Sequence, residues 1–383
     1  MDFEEYIHQG EPEAKEKASA WQTAIGLQAV DGLKTSDYLK ETARKHIEGE
    51  IDIDEAQQLI KSYYQLKSVR TPDEAGMEEA DKVSVNIAGI LNESSFAFSI
   101  VGFTSIHKRL FNGVFKFAGK IRDYDITKKE WVLQGDTVLY VYSQDIRRAL
   151  EYDLEQEKAF DYKGLSFDRI VEHIAKFVSG IWQIHPFGEG NTRTTAVFAI
   201  KYLRSIGFQV DNDLFADNSW YFRNALVRAN YRNVMKGIEP DDLFLVRFFR
   251  NLLMGEKNEL KNRWMLVNPP DTWKAKVNET GQAAGQVGQA TGQAHQKLLP
   301  STEFINMLIL QMGEEQLSVK QMMETLQLKG RDNFLNTYLN PGIKEGFVTL
   351  LYPEKPRHPR QKYLLTVKGI AVYNELTESH NPT

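Results

Sequence analysis

Apolar residues recur at helical spacing along most of this chain. Runs with a period near 3.6 predict helices over Ile87–Ile100, Ser105–Phe117, Gln144–Glu157, Phe167–Gln183, Thr192–Ile206, Trp220–Arg228 and Pro240–Leu253. Closer to the N-terminus, Ser36 and Asp52 each stand before such a run and read as helix N-caps, which predicts two short helices there. The pattern changes between Arg122 and Tyr142. β-Branched and aromatic residues flank Gln134-Gly135-Asp136, which predicts a hairpin with a short turn. An isolated two-stranded hairpin is marginal in water, so it requires a helical surface or a partner strand. Beyond residue 300, Thr302–Met312, Ser318–Leu326 and Arg331–Glu345 read as helices. Two strand-like runs follow, around a Pro-rich tip bearing Lys355, Arg357, Arg360 and Lys362. Three helices and a ribbon in about 70 residues predict a winged helix-turn-helix. The expected fold class is mainly α.

Residues 280–296, TGQAAGQVGQATGQAHQ, hold four Gly-Gln dipeptides and no charged residue. Such a stretch has too little apolar surface to offset its ordering entropy and reads as a linker. The expected organisation is an acidic helical region over 1–88, a central domain over 89–265, a linker over 266–300 and the winged-helix unit over 301–383.

Composition then narrows the class. The chain has 383 residues, 42% of them hydrophobic, which is ample for a packed core and suggests more than one domain. Absence of cysteine excludes disulfide scaffolds, thiolate zinc sites and cysteine nucleophiles, and fits a reducing compartment. No apolar run reaches ~18 residues, and the first residues lack a basic segment followed by an apolar one. A cytoplasmic protein without a membrane span is expected. The net charge of −5 is unevenly placed: residues 1–60 carry 14 acids and 6 bases. The remainder is close to neutral, with a slightly basic middle that suits an anionic ligand.

The chemistry concentrates in Ile184–Thr195, IHPFGEGNTRTT, between two amphipathic helical runs. Gly188 and Gly190 allow a tight turn, and the amides of Gly190, Asn191 and Thr192 then open a helix toward a phosphate. Arg193 adds a fork of donors for phosphate oxygens. His185 can take a proton from a hydroxyl, and Glu189 can hold a magnesium ion that bridges phosphates. The plainer reading of Glu189, a helix N-terminal acid that favours the dipole, stays open.

HPFGEGNTR resembles the signature of the Fic family (filamentation induced by cyclic AMP), H-x-F-x-[D/E]-G-N-G-R-x-x-R, at His185, Phe187, Glu189, Gly190, Asn191 and Arg193. Ser105–Arg122 is similar to the family's helix and lead-in to its hairpin flap. Trp220–Asn230 is similar to the helix whose aromatic residue and Asn help hold the nucleotide. The resemblance spans about residues 90–265. It implies a Fic-type helical domain with a β-hairpin flap. The implied activity is transfer of AMP from ATP, with Mg2+, onto a Ser, Thr or Tyr hydroxyl of a target protein or of the chain itself. The implied roles are His185 as base, Glu189 for the metal, Gly188, Gly190, Asn191, Thr192 and Arg193 for phosphates, and Tyr221 and Asn230 for the nucleotide. A flap over Tyr124–Gln134, with Thr127, Lys128 and Trp131, is expected to pair with an extended target segment. Backbone pairing of that kind does not name the target.

Two departures stand out. Thr192 replaces the motif's second glycine, and Ala196 replaces its second Arg, which in the family contacts the γ-phosphate and pairs with an inhibitory glutamate. In the acidic region, Asp31-Gly32 and Glu48-Gly49 are imperfect matches to the inhibitory pattern. Asp31 and Glu48 are therefore candidate regulatory residues; any inhibition is expected not to use the family's Glu–Arg pair, and a steric route stays open. Other expectations are a different nucleotide or phosphate donor, or AMP removal, because Ala196 loosens the preference for a triphosphate. A regulator that contacts DNA through the winged helix, with a vestigial pocket, is the non-enzymatic alternative; a homodimer is compatible with either.

Overall fold

The computed structural model describes residues 3–66, 71–210, 213–268 and 299–380. The Gly/Gln-rich stretch lies outside these. The structure is mainly α-helical, as expected. Its N-terminal helices are α1 (Glu4–Gln9), α2 (Pro12–Gly26), α3 (Asp37–Ile47), α4 (Ile53–Gln65) and α5 (Pro72–Asn92), with a 3-10 turn at Leu27–Asp31. Ser36 caps α3 by accepting from the Leu39 amide, and Asp52 opens α4 in a capping box with Glu55.

These helices are no loose arm. Trp21, Leu27 and Val30 are fully buried, and α2 packs along α5. A domain boundary between 88 and 89 falls inside the unbroken α5. The expected helix Ile87–Ile100 is also displaced, because α5 stops at Asn92 and α6 (Ile100–Leu110) starts afresh with Ser99 as its N-cap. Lys201 and Arg204 explain that stop. Lys201 Nζ donates to the carbonyls of Ile90 and Glu93, and Arg204 Nη1 donates to that of Leu91, so two cations take up the helix's free C-terminal acceptors.

The centre consists of α7 (Ile146–Ala159), α8 (Phe167–Ile184), α9 (Asn191–Ser205), α10 (Asp213–Asp217), α11 (Ser219–Asn230) and α12 (Leu243–Phe249). Residues Asn191 to Leu203 of α9 are all buried, with α5, α6, α8 and the 3-10 turn packed around them. A helix buried on every side must satisfy its polar groups internally, and that requirement shapes the site at its N-terminus.

The segment 122–142 doubles back at Gln134–Gly135, both at positive φ, but it carries no strand ladder. It is a hairpin-shaped loop with a 3-10 turn at Trp131–Leu133, closed by the Glu130 amide donating to the Asp136 carbonyl at 2.9 Å. Side chains hold it in place of a β-ladder: Asp136 Oδ2 accepts from the Tyr231 hydroxyl at 2.7 Å, and Val132 and Leu133 are buried. The expected β-flap is thus a flap without β-strands.

The C-terminal unit follows the expected order. Helices α13 (Glu303–Met312) and α14 (Val319–Thr325) precede α15, which runs Arg331–Phe334, widens to a π turn at Leu335–Leu339 and ends at Asn340–Lys344. Strands β1 (Val348–Leu350) and β2 (Tyr363–Leu365) pair antiparallel with Val348 opposite Leu365, and α16 (Val367–His380) closes the unit. It docks on the centre at a glycine joint. A Cβ on Gly207 would lie 2.2 Å from the Gly346 carbonyl oxygen, and Asn374 Nδ2 donates to the Leu165 carbonyl at 3.0 Å. Among the described residues, no helix is long and apolar enough to cross a membrane.

Candidate active site

The loop from His185 to Gly190 joins α8 to α9 and is fixed by bonds from the start of the flap and from α6 as well as by its own. His185 ends α8 in the left-handed region at φ 49°, an uncommon state for a residue with a Cβ. Arg122, buried, clamps it there. Its Nε donates to the His185 carbonyl at 2.8 Å, Nη1 to the Tyr124 carbonyl at 2.7 Å and Nη2 to that of Val141, so one guanidinium ties the loop to both arms of the flap. Asn191 stitches the loop by accepting from the Phe187 amide at 2.9 Å and donating to its carbonyl at 2.7 Å. His107 stacks on Phe187 with ring centroids 3.7 Å apart. Its Nδ1 accepts from the Gly119 amide at 2.8 Å, so Nε2 carries the proton and donates to the Glu189 carbonyl at 3.0 Å. Gly190, at φ 77°, begins α9, and a Cβ there would stand 2.3 Å from the Phe111 ring.

His185 itself is poised to accept a proton. A carbonyl only accepts, so the 3.2 Å contact with the Trp182 carbonyl places the proton on Nδ1 and leaves Nε2 as the free base. Burial, and then the positive charge of Lys128, hold its pKa well below the ordinary histidine value. The flap's Tyr140 ring covers it, with centroids 4.1 Å apart.

Beside the loop lies a cavity of about 540 Å³ whose walls include Asp31, Glu79, Glu130, Glu189, Arg193 and Arg223, with the aromatic rings of Phe115, Trp131 and Trp220. Glu189, half exposed, already faces a cation, Lys128 Nζ at 2.9 Å. Arg193 is almost fully buried. Its Nη1 donates to Gln28 Oε1 at 3.0 Å, its Nη2 pairs with Glu79 at 2.7 Å, and its Nε lies 2.8 Å from Asp31 Oδ2. The N-terminal helices therefore contact the signature segment through an acid–Arg pair. Position 196 carries no Arg, so the family's Glu–Arg pair has no counterpart, and the contact made instead joins Asp31 to the motif's first Arg. Glu48 takes no part; it accepts from Tyr6 within the N-terminal helices.

Several expected nucleotide contacts lie elsewhere. Tyr221 is buried with its hydroxyl donating to the Phe244 carbonyl at 3.2 Å, and its neighbours Trp220 and Arg223 line the cavity instead. Asn230 Nδ2 donates to Ser179 Oγ at 2.8 Å and joins α11 to α8. Thr192 Oγ1 accepts from Trp182 Nε1 at 2.9 Å, inside the core, so its hydroxyl faces the helix pair and not the cavity. Gly188 sits under the flap, where a Cβ would meet the Tyr124 hydroxyl at 2.6 Å. In the flap, Thr127 is exposed, Lys128 holds Glu189, and Trp131 lines the cavity. Arg122, His107, Glu79, Glu130 and Arg223 were not singled out by sequence. Arg122 and His107, in the family-like lead-in to the flap, and Arg223, in the family-like helix, lie in segments that the resemblance marked, whereas Glu79 and Glu130 carried no such signal.

Residues 97–203 match the Fic/DOC family, and residues 303–366 match the C-terminal domain of filamentation-induced-by-cAMP Fic-like proteins. Over 153 residues the chain is 27% identical to protein adenylyltransferase VbhT of Bartonella schoenbuchensis, covering 39% of this chain and 30% of that one. Over 118 residues it is 29% identical to the probable protein adenylyltransferase Fic of Salmonella typhimurium, covering 30% of this chain and 55% of that one. The chain thus spans from under a third to about half the length of these curated relatives. A solved Fic family protein from Desulfovibrio desulfuricans superposes over 91% of this chain and 87% of its own with a TM-score of 0.37 and 15% identity, too loosely for residues to be equated.

Proposed function

We propose, on the premise that the chain carries a Fic/DOC domain followed by a Fic-like C-terminal domain, that it transfers AMP from ATP to a hydroxyl of a target protein or of itself. The observation that carries this reading is His185, neutral and with Nδ1–H engaged, so that Nε2 is free as a base beside the opening of α9. The target hydroxyl loses its proton to Nε2 as its oxygen bonds to the α-phosphorus. The bond from that phosphorus to the bridging oxygen breaks, and diphosphate leaves with the electron pair. Backbone amides at Gly190 and Asn191 together with Arg193 receive the phosphate charge. Trp131 and Trp220 offer rings on which a base can stack.

Glu189 fits a magnesium ion held by one carboxylate plus phosphate oxygens, since it faces the cavity and already draws a cation, the Lys128 ammonium. Magnesium there would neutralise phosphate charge. Among the described residues no group of three or more metal-ligating side chains occurs, so phosphates would have to complete its shell. In this reading Tyr140 and the flap shift to admit the hydroxyl to His185, and Asp31 opposes phosphate binding by holding Arg193. A cytoplasmic setting suits the cysteine-free composition.

The test incubates the full chain with magnesium and α-labelled ATP, GTP, UTP or CTP, beside His185→Ala. Label on protein from ATP, lost in that variant, is expected. Equal labelling of His185→Ala would remove the assigned base, and preference for another nucleotide would change the donor.

A further inference from the structure

Position 196, where the signature carries its second cation, is a fully buried alanine, so α9 offers the cavity only one guanidinium. A second reaches it from another helix. Arg223, on α11, lines the same cavity as Arg193, and the two share one carboxylate: Asp31 Oδ2 lies 2.8 Å from Arg193 Nε and Oδ1 lies 3.2 Å from Arg223 Nη1. The two guanidiniums therefore stand one bridging anion apart, the spacing a phosphate group spans with its oxygens. Arg193 Nε already faces Asp31, whereas Arg223 Nε is buried with no hydrogen-bond acceptor among the described residues and so holds an unused donor.

The remaining contacts separate the fixed anion from the exchangeable one. Arg223 Nη2 lies 3.2 Å from both oxygens of Glu130, which is buried and also accepts from the Tyr140 hydroxyl at 3.3 Å. That pair positions Arg223 against the flap. Asp31 is different. It ends the 3-10 turn, a quarter of its side chain is exposed, and the following Gly32 has open space around it at φ 71°. Glu79 is as exposed as Asp31 but touches Arg193 alone and sits within the packed α5, so Asp31, on a turn and shared by both guanidiniums, is the anion whose displacement frees the two together.

We propose that Arg223 is a second phosphate-binding cation, acting with Arg193 on the polyphosphate arm of a nucleotide, and that Asp31 holds the place of that arm between them. The inference rests on the nucleotide reading of the cavity and adds a selectivity to it. A single phosphate satisfies the α9 amides and Arg193, whereas a di- or triphosphate also engages Arg223. Arg223 therefore favours nucleotides that carry a diphosphate leaving group.

The experiment measures binding of ATP, ADP, AMP and inorganic diphosphate by calorimetry, with His185→Ala in every protein so that no turnover occurs. Asp31→Asn supplies the background, because loss of Arg223 also frees Asp31 and would mask the effect. In that background Arg223→Ala is expected to weaken ATP and diphosphate by about tenfold or more, the loss of one charge-assisted contact, and to leave AMP within about twofold. Arg223→Lys, which keeps the charge and a partner for Glu130, should fall between the two, with thermal melting confirming the fold of each. ATP affinity unaltered by both Arg223 substitutions, or an equal loss for ATP and AMP, overturns the role of Arg223 while leaving the cavity a nucleotide site. If the background protein binds none of the four ligands, the nucleotide reading itself fails and this inference with it.

Discussion

Replacing Asp31 by Asn tests whether the N-terminal helices restrain the site. A point substitution is the right perturbation, since removal of residues 1–60 would strip Trp21, Leu27 and Val30 from the core and unfold more than the contact. Asp31→Asn keeps shape and removes one charge from between Arg193 and Arg223. A charge-assisted contact contributes about 1.5–3 kcal/mol, and partial exposure of Asp31 reduces this to about 1–2 kcal/mol. With about 1.4 kcal/mol per decade, nucleotide affinity should rise about 5- to 30-fold. Below saturating ATP the rate of label transfer should rise by the same factor. Stability should move the other way: Arg193, nearly fully buried, loses one counter-ion but keeps Glu79 and Gln28, so Tm should fall by about 2 °C or less. Glu48→Gln, an acid of the same region that accepts from Tyr6 away from the cavity, is the control and should change neither quantity. An Asp31→Asn protein that folds, binds nucleotide no better and transfers no faster would refute the restraint.

Other consequences can be measured directly. His185→Ala should lower transfer by about 10²–10⁴ with nucleotide binding retained. Because burial keeps His185 neutral, the acid limb of kcat/KM should lie well below pH 6.5, and a limb at 6.5 would contradict the assignment. Stability should also fall on acidification. His185, His46 and His107, the last depressed to about 4 by burial, bind protons near pH 6.5 only when unfolded. Stability is thus complete above that pH and lost as pH drops, by about 1.4 kcal/mol per unit for each histidine. Asp81 and Asp153, raised by burial, oppose the trend as pH falls through their own folded values; a urea midpoint higher at pH 5 than at pH 8 would contradict the burial of the histidines. Gly190→Ala must adopt φ 77° at a cost of about 1–2 kcal/mol and meet the Phe111 ring, so both Tm and transfer should fall. Gly207→Ala should pry the C-terminal unit off the centre, read as faster proteolysis after residue 300 with transfer little changed.

Sequence by itself determined the parts whose physics is local. Apolar periodicity placed α8, α9 and α11, Ser36 and Asp52 announced their helices, and a glycine-bearing turn between two amphipathic runs marked the segment from His185 to Arg193. Even the turn at Gln134–Gly135 was legible. Only the tertiary structure decided which groups those parts face. Tyr221 and Trp220 are neighbours on one helix, and packing alone turned the first into the core and the second toward the cavity. The flap lost its ladder because Asp136 and the buried Val132 and Leu133 anchor it to helices. Asp31 was legible as a candidate regulatory acid, but that it would meet Arg193 and Arg223 together, with Glu79 beside them, was not, because these residues lie on separate helices and turns. Their meeting follows from burying α9 on every side, which forces an almost fully enclosed guanidinium to find its anions among whatever helices surround it.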